Sequence, residues 1–93
     1  MAATEPEKSG NGYVIREGGE PIGEITYAPS DGGKVWIVDH TYVSPSHRGQ
    51  NLASSLLQAV VDEARREGVK IEPACSYAAA QFKRRKDYAD LLA

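Results

Sequence analysis

The sequence predicts a mixed α/β (α+β) fold, a mostly antiparallel sheet with one β-α-β crossover. Three observations predict it. Before Pro45, apolar residues alternate with polar ones in segments parted by glycine-containing turns, the pattern of strands with one buried face. After Pro45 the period lengthens, with Leu52, Leu56, Val60 and Ala64 at four-residue spacing, the signature of an amphipathic helix. Beyond Gly68, the short run Val69-Lys70-Ile71-Glu72-Pro73 reads as a strand again. A strand, a helix and a strand in that order imply a right-handed crossover, with the second strand parallel to the first.

The elements follow in chain order. Residues 1 to about 10 are polar and carry a Pro and a Gly, so they read as a frayed tail ahead of a single compact domain over 11–93. Tyr13 to Glu17 is strand-like and stops at Gly18-Gly19. Ile22 to Tyr27 alternates and stops at the turn cluster Pro29-Ser30-Asp31-Gly32-Gly33. Val35 to Val43, rich in β-branched and aromatic residues, is the longest strand. Short connections make these three strands an antiparallel meander. The helix that follows has Leu57 and Val61 beside its apolar stripe and ends at Gly68. Ser76 to Lys86 reads as a second helix with Tyr77, Ala80 and Phe82 inward, and Asp87 to Ala93 as one more turn or a short separate helix.

Composition excludes several function classes. The chain has 93 residues, enough for one domain. No apolar run approaches the roughly 20 residues that span a bilayer, and Met1-Ala2-Ala3-Thr4-Glu5 predicts no secretion signal. The lone cysteine, Cys75, excludes an internal disulfide framework and suits a reducing, cytoplasmic setting. No His, Cys and Asp spacing predicts a metal site. Eleven basic against thirteen acidic residues give a formal charge of −2, with no global drive toward nucleic acid. The basic run Lys83-Arg84-Arg85-Lys86 reads first as a helix end whose cations complement the macrodipole.

The stretch that carries chemistry joins the long strand to the first helix: Ser44-Pro45-Ser46-His47-Arg48-Gly49-Gln50-Asn51-Leu52-Ala53. A loop running into a helix N-terminus leaves outward main-chain N–H groups with partial positive charge. Gly49 allows close approach and Arg48 adds a cation, which together make a cradle for a phosphate or pyrophosphate. The same residues also read as an ordinary strand-to-helix turn, with Asn51 as a side-chain cap.

Arg48-Gly49-Gln50-Asn51-Leu52-Ala53 resembles the pyrophosphate loop of the GCN5-related N-acetyltransferases, Arg/Gln-x-x-Gly-x-Gly/Ala. The flanking Val43-Ser44-Pro45 and Leu56-Leu57 match too. His40-Thr41-Tyr42-Val43 and Cys75-x-Tyr77 resemble a compact, single-domain subfamily. The likeness extends over residues 12 to 92. It departs at Asn51, where the motif has its central glycine, and Asn tolerates positive φ better than other non-glycine residues. The resemblance implies an acyl-CoA N-acyltransferase-like fold that binds acetyl-CoA and moves its acetyl group to an unidentified amine, by direct attack or through Cys75. The alternative is a non-catalytic CoA- or acyl-CoA-binding or interaction module.

The resemblance also implies a site. Arg48, Gly49, Gln50, Asn51, Leu52 and Ala53 would hold the pyrophosphate, and Arg48 and the 83–86 run are candidates for the phosphates. Main-chain groups near Tyr42 and Val43 would pair with the pantetheine arm between splayed strands. Three candidate catalytic residues remain double in meaning. Cys75 is an acetyl carrier, a residue lining the acetyl pocket, or a small buried hydrophobe. His40 is a proton acceptor or a hydrogen-bonded strand histidine, with Glu24 and Asp39 as alternative bases. Tyr77 is a proton donor or a buried aromatic, since aligning Ala79-x-x-Phe82 to the family's Ala-x-x-Tyr/Phe pattern leaves Phe82 where the donor tyrosine would be. The expected partners are acetyl-CoA and an amine acceptor, with no membrane and no nucleic acid, for a monomer or a weak homodimer.

Overall fold

The computed structural model describes residues 5–93. Five strands form one sheet in the order β1-β2-β3-β4-β5: Glu7–Lys8, Gly12–Glu17, Glu20–Ser30, Val35–Val43 and Lys70–Pro73. The first four pair antiparallel, and β5 lies parallel to β4. The meander and the crossover are both as the periodicity predicts. Strand β3 runs on through Pro29 and Ser30, so the turn starts at Asp31, two residues later than the Pro-Ser-Asp-Gly-Gly cluster predicts.

Helix α1, Leu52–Glu67, lays Leu52, Leu56, Leu57, Val60, Val61 and Ala64 against the sheet. The apolar stripe at 3.6-residue spacing drives this packing. Gly68 ends the helix at φ 71, donating back to Ala64 O and Arg65 O, a left-handed cap that glycine adopts without a Cβ penalty. Helix α2, Ser76–Arg84, follows β5. Its phase differs from the sequence reading: Ala78 and Phe82 are buried, Tyr77 is half-buried and Ala80 is exposed. The last segment is a separate 3-10 helix, Lys86–Leu91, which buries Tyr88 and Leu91. Tyr88 donates to Gln58 Oε1 at 2.8 Å and so ties this segment to α1.

Two local features depart from the sequence reading and shape the rest. The stretch read as a tail includes β1, where Lys8 reaches Glu63 of α1 at 2.7 Å. This anchor comes from a partner 55 residues away, which local composition does not register. The second feature is a β-bulge. Thr26 pairs with His40 and Tyr27 with Val38, so Asp39 has no partner in β3. An extra residue shifts the alternation of every side chain beyond it. Among the described residues, no helix is long and apolar enough to cross a membrane.

Candidate functional site

Strands β4 and β5 part company midway. Their pairing ends at Val38 and Pro73. The Ala74 and Cys75 amides then both turn in to Val38 O at 3.0 Å, while β4 continues alone to Val43. On its other side this extension stays on β3, with Ser44 N donating to Ile22 O at 2.7 Å. Strand alternation therefore turns the main-chain groups of Thr41 and Val43 toward the side β5 has left. Arg48 Nε reaches Val43 O there at 3.4 Å.

The space between this edge, the loop and α2 is a cleft of about 600 Å³. Thr41 and Val43 form one wall. His47, Arg48, Gly49 and Asn51, with Leu52, Ala53 and Ser54 of α1, form the second. Tyr77, Gln81 and Arg84 form the third. These last three stand at i, i+4 and i+7 on α2, one helical face. That spacing was available in the sequence as a signal for Gln81 and Arg84.

The loop ends in a strained turn. Gly49 has φ 89 and Asn51 φ 60. Asn51 thus takes the left-handed conformation that its residue type tolerates. It does not cap α1 through its side chain, because left-handed backbone replaces the extended backbone of a side-chain N-cap. Its carbonyl instead accepts from Ser55 N at 3.1 Å and Ser55 Oγ at 3.3 Å. Ser55 N makes the first hydrogen bond of α1. Among the described residues, no main-chain acceptor takes the N–H groups from Gly49 to Ser54. They lie at and just before the positive end of a 16-residue helix, and Arg48 lines the same cleft, an arrangement that favours an anion. His47 is held at the loop's edge by Glu17 Oε1 at 3.0 Å and Ser46 Oγ at 3.0 Å.

The cleft gathers Val43, Arg48, Gly49, Asn51, Leu52, Ala53 and Tyr77 from the candidates. It does not gather His40, Tyr42, Gln50 or Cys75. The Asp39 bulge explains His40 and Tyr42: beyond it Thr41 and Val43 share the cleft side, and His40 and Tyr42 turn away. Tyr42 is 41% exposed, and His40 Nε2 lies 3.4 Å from Glu24 Oε2. Asp39 accepts from Thr26 Oγ1 at 2.8 Å. None of the three expected bases lines the cleft. Of the basic run, Arg84 lines it, whereas Arg85 is bound to Asp87 at 2.8 Å and lies over the Tyr88 ring.

Cys75 is the N-cap of α2. Its Sγ accepts from Ala78 N at 3.4 Å and meets Thr41 Oγ1 at 3.4 Å. A sulfur cap is weaker than an oxygen one, and serine is a preferred cap residue. Cys75→Ser should therefore keep the denaturation midpoint or raise it, whereas Cys75→Ala should cost about 1 kcal/mol in urea unfolding. Tyr77 is a perturbed acid. Burial pushes its phenol above the ordinary range, against the opposing pull of Ser54, Arg84 and Arg85. The hydroxyl thus keeps its proton through neutral and mildly alkaline pH.

Comparison with known proteins bears on the whole chain. The family model described as GCN5-related N-acetyl-transferase matches residues 12–91. A GCN5-like protein from Staphylococcus aureus, solved in solution by NMR, superposes with a TM-score of 0.82 at 32% identity, over 100% of this chain and 91% of that one. An N-acetyltransferase from Staphylococcus aureus Mu50 gives 0.58 at 26% identity, over 77% and 48%. The ribosomal-protein-S18-alanine N-acetyltransferase of Escherichia coli gives 0.63 at 15% identity, over 83% and 53%, a likeness of fold alone. The chain spans about half the length of these last two.

Proposed function

The chain belongs to the GCN5-related N-acetyltransferase family, and on that footing we propose that it moves an acetyl group from acetyl-CoA to an amine. The observation that carries this reading is the run of amides from Gly49 to Ser54, which no main-chain acceptor among the described residues takes, beside a cleft lined by Arg48 and Arg84. These groups fit the diphosphate of a CoA molecule. The β4 edge at Thr41 and Val43, which β5 has left, fits an amide-bearing arm in the manner of an added strand. Acetyl-CoA would supply an acetyl group activated as a thioester.

The chain's own residues supply the rest. The outward amide of Val43 is available to polarise a carbonyl. Tyr77, neutral and on the cleft wall, donates a proton to the thiolate as the carbon–sulfur bond breaks, and its phenolate recovers one from the nitrogen that has formed the amide bond. Because its pKa is raised, this proton is present below the phenol's ordinary range and is lost only as pH climbs past the elevated value. Tyr77→Phe should lower the single-turnover rate about a hundredfold, at the low end for a general acid, while acetyl-CoA affinity stays within twofold. An unchanged rate removes Tyr77 from the reaction.

Cys75 enters as a structural cap and the amine attacks directly. Cys75→Ala should therefore leave the single-turnover rate intact. Detection of acetylated Cys75 by mass spectrometry on the reaction timescale would replace direct attack with a covalent route. The cleft is built within one copy of the chain, so a monomer suffices. A free thiol beside Thr41 is compatible with a reducing, cytoplasmic compartment.

The deciding experiment is calorimetry with acetyl-CoA and with CoA, followed by an acetyl-transfer assay over a panel of amines. Binding with transfer supports the proposal. Binding of both ligands without transfer to any amine would favour the non-catalytic module, for which Asn51 at the motif's glycine and Phe82 at the donor position are the grounds. Absence of binding sinks both.

A further inference from the structure

A second convergence of charge and aromatic surface lies away from the cleft. Lys8 Nζ donates to both Glu63 carboxylate oxygens at 2.7 Å and to Tyr27 Oη at 2.8 Å. The same nitrogen stands over the rings of Tyr13, Tyr27 and Trp36, at 5.3, 5.1 and 6.0 Å from their centroids. A carboxylate, a phenol oxygen and three aromatic rings within 6.0 Å of one ammonium make a partial aromatic cage, related to the arrangement by which proteins recognise alkylammonium ligands.

The walls also hold one another. Tyr27 and Trp36 are 6% and 8% exposed and stack at 4.1 Å. The Tyr13 and Tyr27 hydroxyls donate to Glu63 Oε1 at 3.3 and 3.4 Å, contacts in which Lys8 takes no part. The occupant is held less firmly. It belongs to the two-residue strand β1, at the sheet edge, paired only through Glu7 with Val14 and Lys8 with Tyr13. The Lys8 side chain is 44% exposed, against 17% for Glu63. Desolvation opposes the lysine charge, but the hydrogen bonds with Glu63 and Tyr27 outweigh it and hold the ammonium above its ordinary pKa.

We propose that Tyr13, Tyr27, Trp36 and Glu63 form a binding site for an alkylammonium group, with Lys8 as its intramolecular plug. The plug exchanges with an external ammonium when β1 lifts from the sheet edge. The site shares no residue with the cleft. From Ser54 to Glu63 the helix advances about 13 Å at 1.5 Å per residue, so this inference does not rest on acetyl transfer. A short tether presents its own ligand at an effective concentration on the order of millimolar, and a free ligand must compete with that.

Trp36 is the one tryptophan of the chain, so its fluorescence reports on the cage. The full-length Lys8→Ala variant is titrated with n-butylammonium chloride, with 1-pentanol as a neutral control of similar size, and with Nα-acetyl-lysine amide. A saturable change is expected with butylammonium and not with the alcohol, and Glu63→Gln in the same background should abolish it. The wild-type chain should need about tenfold more ligand, or higher still. Tighter binding of the lysine derivative assigns the ligand to a lysine side chain, and equal binding assigns it to a free amine. Should Lys8→Ala fail to fold unaided, butylammonium should restore the native Trp36 spectrum where the alcohol does not. No saturable response, an equal response to the alcohol, no restoration, or a response that survives Glu63→Gln overturns the proposal and leaves Lys8 as a staple.

Discussion

Reversing both cleft arginines, Arg48→Glu with Arg84→Glu, is expected to weaken acetyl-CoA binding about a thousandfold and leave the fold unchanged. Both side chains are exposed. Among the described residues Arg48 makes one side-chain hydrogen bond, 3.4 Å to Val43 O, so the fold loses little. The ligand loses more. At an exposed site a charge pair with a phosphate is worth about 1 kcal/mol, and an anion in the cation's place adds repulsion of similar size. Two such sites sum to about 4 kcal/mol, and 1.4 kcal/mol is tenfold in affinity. The amides from Gly49 to Ser54 remain, but a helix end offers only about half a unit of positive charge, too little to offset two carboxylates. Calorimetry should show wild-type affinity falling with added salt and the variant near the detection limit throughout. A loss below tenfold, with the thermal midpoint kept, would mean that the anion sits elsewhere.

Much of this cleft was legible in the sequence, and the illegible part has a physical cause. The switch from alternation to four-residue spacing at Pro45 marks where sheet gives way to helix, because each period follows from local backbone geometry. The loop was legible because Gly49, Asn51 and a helix start lie within a few residues. What failed depended on partners. Nothing within β4 announces that Asp39 is the extra residue. The bulge exists only in register with Thr26 and Tyr27, yet it decides that Thr41 faces the cleft and His40 does not. Lys8 was hidden likewise, because its partner Glu63 is on a helix far along the chain. Cys75 reads from the sequence as an acetyl carrier, a lining residue or a small buried hydrophobe, and its role as a cap emerges only once the start of α2 is fixed beside it.

Gly12→Ala should cost roughly 3 kcal/mol, at the upper end for overpacking, and lower the thermal midpoint by roughly 15 °C for a chain of this size. The reason is steric. A Cβ on Gly12 would stand 2.0 Å from Ile25 O and 3.0 Å from both Ile25 C and Thr26 Cα. All three neighbours are backbone atoms, so no rotamer change relieves the overlap. Strand β3 cannot yield, since Ile25 is fully buried in the core and β3 is paired on both edges. Strand β2 must therefore move, beginning where Tyr27 N donates to Asn11 O at 2.9 Å and Ser9 N to Gly12 O at 3.0 Å. These bonds lead directly into β1, so the displacement also pulls Lys8 from Glu63. Hydrogen exchange should show the Tyr27 amide losing protection ahead of the amides of α1. A midpoint within about 3 °C of wild type would mean that the β2–β3 crossing relaxes cheaply. An equal loss of protection along α1 would mean that the edge and the core unfold as one unit.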